Sequence, residues 1–230
     1  AFETRLIPYP LVGAIGPWNF PLLLSLIDAV PALLAGSAVL IKPSEVTPGV
    51  TAALQAAIDR VTALGPVAAV VEGDGIVGAA LIDTVDAVCF TGSVATGRKV
   101  AVQAARRMIP AFLELGGKDP ALVLDDADLD RAVTAIVRGG LSNSGKACQS
   151  IERVSVDKAV FAPFLDKLKA AVSAITLSRD TAGQGILGPM IAPAQAEIVA
   201  RQLADARSRG ATVETGGWVE PPWVDRKSVV

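Results

Sequence analysis

Residues 11–45 read LVGAIGPWNFPLLLSLIDAVPALLAGSAVLIKPSE, and this stretch decides the fold class. Asp28 is its only charge before Lys42, so a membrane span has to be weighed first. A span needs roughly 20 uninterrupted apolar residues. Pro17, Pro21 and Pro31, with Gly13, Gly16, Asn19 and Gly36, cut the stretch into pieces whose backbone groups a bilayer would leave unsatisfied. The stretch therefore reads as a buried strand at Leu11–Gly16, a helix at Leu22–Leu34 and a second strand at Ala38–Ile41.

The same alternation continues outward. Thr51–Leu64 reads as a helix, Val67–Val71 as a strand, the residues about Ala79 as a short helix, and Ala87–Phe90 as a strand. Gly97–Arg107 reads as a helix and Ala111–Leu115 as a strand. Strand-length apolar runs separated by helices imply parallel strands with crossovers on both faces of an open sheet, a Rossmann-like α/β domain. Past Gly116 the rhythm changes, with strands at Ala121–Leu124 and Val154–Val156 and helices at Leu129–Val137, Ala159–Ile175 and Pro193–Arg209. Ala211–Glu214 reads as extended. We place residues 1–115 in one domain and 116–224 in the start of a second α/β domain. Residues 225–230, DRKSVV, match a reading frame of a sequencing adapter and are read as a cloning or sequencing scar.

Composition removes whole classes of function. The 230 residues include no histidine, which excludes Ser-His-Asp triads, Cys-His dyads and HExxH zinc sites. Two cysteines, Cys89 and Cys148, make neither a disulfide framework nor a metal cluster, and they point to a reducing, cytoplasmic setting. A net charge of -2 without a basic run gives no footprint for nucleic acid or an anionic membrane.

Two nucleotide-like patterns are set aside. Gly73, Gly75 and Gly78 spell GxGxxG after a strand, but no acidic residue lies about 20 positions on to take the ribose hydroxyls. Gly140–Ala147, GLSNSGKA, resembles a P-loop with Ala147 where a magnesium-binding hydroxyl is needed, and a helix precedes it instead of a strand.

Other groups fit one reaction together. Lys42 and Glu45 emerge at a strand's carboxyl end, where ligands sit in open α/β sheets, and the pair can hold a ribose. A surface ion pair is the plain alternative. Phe90-Thr91-Gly92-Ser93 passes from a strand into a helix whose first amides can receive phosphate, or which Ser93 simply caps. Cys148, in a polar loop beside Lys146, is a candidate nucleophile, whereas Cys89 sits in an apolar run and reads as core. Glu114 ends an apolar run before Gly116-Gly117, where a partly buried carboxylate would suit general-base work.

Taken together, Pro17-Trp18-Asn19-Phe20-Pro21, Lys42-Pro43-Ser44-Glu45, Phe90-Thr91-Gly92-Ser93 with Gly97, Leu113 to Lys118, and Gly145 with Cys148 resemble the NAD(P)-dependent aldehyde dehydrogenase superfamily, in its order and at compatible spacing. The resemblance runs from Ile7 to Gly217. It implies that Cys148 attacks the aldehyde carbon and that Asn19 and the Cys148 N–H form the oxyanion hole. It also implies that Glu114 activates the water that hydrolyses the thioester. Lys42 and Glu45 would hold the adenosine ribose, Gly92, Ser93 and the turn before Gly97 the pyrophosphate, and Trp18 would pack near the cofactor. Glu45 opposes a 2′-phosphate, so NAD is expected over NADP, and no metal is expected.

Two departures accompany the resemblance: Lys146 stands where the family usually has Gln, and the chain lacks the family's later glutamate and oligomerisation strand. We therefore expect an internal piece of an enzyme, inactive by itself, whose parent is a homo-oligomer acting on a small aldehyde. A coenzyme A-acylating relative, an acyl-CoA reductase or a catalytically silent piece are the alternatives.

Overall fold

The computed structural model describes residues 2–179 and 185–225. They form two compact units, Ala1–Gly116 and Gly117–Val230. Of the six residues read as a scar, Asp225 is described and buried, and its N–H donates to the Trp218 carbonyl at 3.0 Å. Residues 226–230 lie outside the described residues.

The first unit is a five-stranded parallel sheet of β1 (Leu11–Ile15), β2 (Ala38–Lys42), β3 (Ala68–Val70), β4 (Ala87–Thr91) and β5 (Ala111–Glu114). The strand order is β3-β2-β1-β4-β5, so the chain reverses direction across the sheet between β1 and β4. Helices α1 (Leu23–Leu26), α2 (Ala29–Ala35) and α3 (Thr51–Asp59) cover one face, packing Ala29, Leu54 and Ile58 on Val12, Ala14, Val39 and Ile41. Helices α4 (Gly75–Thr84) and α5 (Val94–Arg107) cover the other, packing Leu81, Ile82, Val100 and Ala104 on Val88 and Phe90. This double cover explains why the central strands are apolar at nearly every position. Full burial of a side chain such as Val39 or Val88 contributes about 1.5–3 kcal/mol.

Leu22–Leu34, expected as one helix, is two. Pro31 has no N–H to give to a carbonyl one turn back, so a continuous helix would break there. The chain instead restarts at Ala29, which puts Pro31 in the first turn of α2, where no intrahelical donor is required. Gly36, at φ 101°, then ends α2 in a left-handed cap.

In the second unit β6 (Asp119–Val123) pairs in parallel with β7 (Ile151–Val156), and α6 (Leu129–Leu141) and α7 (Phe161–Ser173) pack on the pair. Val123, Val133, Ile136, Phe164, Leu168 and Val172 form its core. Asp128 caps α6 by accepting the Asp130 and Arg131 N–H groups. A smaller cluster of Met190, Ala196 and Val224 joins α8 (Pro193–Ser208) to a hairpin of β8 (Val219–Glu220) and β9 (Trp223–Val224). Arg179 fastens that hairpin, its guanidinium 5.2 Å from the Trp218 ring centre and 5.7 Å from that of Trp223, with Glu220 at 3.2 Å. No helix among the described residues is long and apolar enough to cross a membrane.

Candidate active site

A cleft of about 500 Å³ opens at the carboxyl edge of the first unit's sheet, within the usual range for ligand pockets. Its walls come from the ends of β1, β2 and β4 and from α4 and α5. This is where the strand order reverses, the position at which open α/β sheets bind ligands. Trp18, Lys42, Glu45, Gly92 and Ser93 all line it.

Each side chain reaches the cleft for a local reason. Gly16 ends β1 by donating to the Lys42 carbonyl, and the tight turn after it brings Pro17 and Trp18 to the rim. Lys42 closes β2 with its side chain only 4% exposed, and its ammonium donates to the Pro43 carbonyl at 3.2 Å and to Glu45 Oε2 at 3.3 Å. Glu45, by contrast, is 54% exposed. Enclosing an ammonium is costly unless acceptors such as these meet it.

The two helix starts at the cleft differ. Asp74 caps α4 by accepting the Ile76 N–H at 2.9 Å, so a carboxylate already answers that dipole. Ser93, a neutral group, caps α5 by accepting the Thr96 N–H at 3.2 Å, which leaves the positive end of α5 for an external anion. Thr96, Lys99 and Gln103 follow along the α5 wall. Gln103 is engaged with the Ala79 carbonyl at 2.8 Å, while Lys99 is exposed and has no carboxylate partner among the described residues. The dimensions, the enclosed ammonium and the neutral-capped helix start suit a nucleotide with phosphates.

Sequence reasoning set Gly73–Gly78 aside, yet Gly75 and Gly78 belong to the cleft wall. A Cβ on Gly78 would stand 3.7 Å from the Lys42 side chain, which passes over this first turn of α4. Thr96, Lys99 and Gln103 were missed as well; their spacing along one helix face was the available signal. Gly97 is not a lining residue. It is buried where α5 crosses the sheet, and any side chain there would run into Leu115.

Asn19 is half-buried in the turn after β1. Glu114, expected to be partly shielded, is exposed at the end of β5, and its Oε1 accepts the Gly116 N–H at 2.9 Å. Cys89 is half-buried against the sheet core, and burial, with the nearby Asp28 carboxylate, pushes its thiol up to about 11.

Cys148 lies in the second unit, half-buried, with Sγ donating to Gln149 Oε1 at 3.0 Å. The loop before it is a short 3-10 turn, Ser142–Gly145, in which Asn143 (φ 50°), Ser144 (φ 55°) and Gly145 (φ 69°) are all left-handed. Non-glycine residues pay on the order of 1–2 kcal/mol for that conformation. Ser144 is buried, and its Oγ accepts the Gly188 N–H at 3.0 Å. Among the described residues no group of three or more potential ligands is gathered for a metal ion.

The aldehyde dehydrogenase family profile matches residues 2–227. The chain belongs to the aldehyde dehydrogenase family. A protein of Mycolicibacterium smegmatis named "Putative succinate-semialdehyde dehydrogenase, NADP(+)" is 41% identical over 215 residues, covering 93% of this chain and 42% of that protein. Among solved structures, "Putative Aldehyde Dehydrogenase PutA" from Anabaena variabilis is 50% identical with a TM-score of 0.91, over 96% of this chain and 47% of that one. Lactaldehyde dehydrogenase from Escherichia coli is 38% identical with a TM-score of 0.87, over 92% and 45%. The chain thus spans less than half the length of these aldehyde dehydrogenases.

These relatives correct one expectation. NAD was favoured because Glu45 would repel a 2′-phosphate, yet the M. smegmatis aldehyde dehydrogenase is named for NADP(+). The reason lies in the surroundings of Glu45. Its charge is answered by Lys42 at 3.3 Å, its side chain is more than half exposed, and Lys99 lines the same cleft. The expectation set the Glu45 charge against a 2′-phosphate without the Lys99 cation in the same cleft.

Proposed function

We propose that this chain is part of an enzyme that oxidises an aldehyde to a carboxylic acid with NADP in a reducing, cytoplasmic compartment. The observation that carries the reading is the cleft at the switch point of the sheet, lined by Lys42, Ser93 and Lys99, in a chain of the aldehyde dehydrogenase family. Lys42 and Glu45 hold the adenosine ribose, and Gly92, Ser93 and the first amides of α5 hold the pyrophosphate. Trp18 packs beside the cofactor. Lys99 supplies the cation for the 2′-phosphate, since Lys42 is already committed to Glu45. Bound NADP supplies a two-electron acceptor for hydride.

Cys148 releases its proton to solvent, and the thiolate Sγ adds to the aldehyde carbon. The oxyanion that forms is met by the Asn19 amide and the Cys148 N–H. As its C–O double bond re-forms, the carbon gives up hydride, and an acyl thioester remains on Cys148. Glu114 then takes a proton from water, the hydroxide adds to the thioester carbon, and Cys148 leaves as thiolate. The substrate is an aldehyde, with a carboxylate-bearing semialdehyde as the first to try, from the name of the M. smegmatis relative. The whole enzyme is proposed to be a homo-oligomer.

The test is NADPH formation by the whole protein on a panel of aldehydes that includes succinic semialdehyde. Wild type should turn over, Cys148→Ala should not, and Glu114→Gln should stop near one equivalent of NADPH per active site. A Cys148→Ala protein that turns over normally would overturn the reading. Turnover that requires coenzyme A would replace hydrolysis by acyl transfer.

A further inference from the structure

We infer that Ser144 is a positioning residue for Cys148, a role that rests on the reading of Cys148 as nucleophile. Three consecutive left-handed residues, Asn143, Ser144 and Gly145, precede Cys148, and only the last is a glycine. Such backbone persists only where the surroundings over-determine it. Ser144 supplies that determination. It is buried, and its hydroxyl accepts the Gly188 N–H at 3.0 Å across 44 residues of chain.

The segment on the far side of this hydrogen bond is itself anchored. The Ile186 and Leu187 N–H groups both donate to the Thr176 carbonyl, at 2.9 and 3.1 Å, and the Leu187 carbonyl accepts from Ser178 at 2.8 Å. Leu187 is buried, and the Met190 N–H donates to the Pro222 carbonyl at 2.8 Å. Gly188 is therefore a fixed post. On the near side, Lys146 N–H closes back on the Asn143 carbonyl at 3.2 Å, and Ala147 is buried. Between Ser144 and Ala147 the loop has few freedoms, so the direction in which Cys148 Sγ leaves it is set at Ser144. Without the hydroxyl, the left-handed residues can relax toward ordinary backbone and carry Sγ away from its attack position.

The experiment compares Ser144→Thr with Ser144→Val in the whole protein, since the two side chains share a shape and a branched Cβ and differ only in the hydroxyl. The readouts are kcat and KM for aldehyde, the dissociation constant of NADP, and the rate at which iodoacetamide modifies Cys148, located by mass spectrometry. Both branched side chains strain the left-handed backbone alike, so the two are compared with each other: kcat of the valine protein should fall about 10- to 100-fold below that of the threonine protein, the scale of a misplacement near 1 Å. The NADP dissociation constant should stay within about twofold in both, and alkylation of Cys148 should differ between them by more than about threefold. Equal kcat and equal alkylation in the two variants would overturn the inference, as would a lowered melting temperature with unchanged chemistry. If the valine protein does not fold, Ser144→Gly decides, because glycine takes the left-handed backbone freely but has no hydroxyl. A glycine protein with wild-type kcat and alkylation would overturn the inference. Failure of the nucleophile reading would appear separately, as turnover by Cys148→Ala, while the alkylation comparison would still judge Ser144.

Discussion

Gly16 lies so close to Ser25 that a Cβ at residue 16 would stand 2.9 Å from the Ser25 Cα, and nearer still to its hydroxyl. Backbone cannot yield as a flexible side chain can, so Gly16→Ala must displace either α1 or the turn that carries Trp18 and Asn19. We expect a loss of about 1–3 kcal/mol, the range for overpacking a filled site. Chemical denaturation should show it as a lower midpoint at unchanged slope. Wild-type stability in Gly16→Ala would mean that the turn and α1 are not packed as described.

The pairing of enclosed Lys42 with exposed Glu45 predicts unequal effects at the two positions. Lys42→Met should weaken NADP and NAD alike, since both carry the adenosine ribose. Glu45→Gln should instead shift preference toward NADP by about 3- to 10-fold, as expected from removing a screened repulsion near 1 kcal/mol. Equilibrium titration with each dinucleotide separates the two results.

Lys99→Ala should weaken 2′,5′-ADP by about 5-fold or more and leave 5′-AMP nearly unchanged, if its charge answers the 2′-phosphate. The difference should shrink as salt rises, because Lys99 is exposed. Equal weakening of both ligands would move Lys99 to the pyrophosphate instead.

Cys89 and Cys148 should react very differently with alkylating agents. With its thiol pushed up to about 11 from 9.0, Cys89 stays protonated at neutral pH and should resist modification in the native state. Unfolding lowers that barrier, so protons leave the unfolded chain first as pH rises. The associated stability is full below pH 9 and is lost as pH rises toward 11. Cys89→Ala should flatten that part of the stability profile, as read by denaturation at a series of alkaline pH values.

The parallel sheet was legible because a strand covered on both faces is apolar at nearly every position, as β1, β2 and β4 are up to Lys42 and Thr91 at the carboxyl ends of β2 and β4. Lys42, Glu45 and Ser93 were legible because strand ends and helix starts are where such groups can meet a ligand. What escaped the sequence depends on distance along the chain. The split of α1 from α2 turns on where Pro31 falls within a turn. Gly75 and Gly78 read as unrelated to Glu45 because it precedes them in sequence, while the cleft gathers all three. The cofactor expectation missed Lys99, which lies far along the chain from Glu45 yet lines the same cleft.

The place of β1 in the middle of its sheet has a cost in time. Its partners β2 and β4 lie on either side, and the Leu11 N–H closes on the Asp86 carboxylate 75 residues later, at 2.9 Å. On a ribosome adding about 5–20 residues per second, one edge of β1 waits roughly 4–15 s for its neighbour. During that interval an apolar strand with unpaired amides is open to other nascent chains. Slower translation through α3 and α4 should therefore raise aggregation more than the same delay placed after β4.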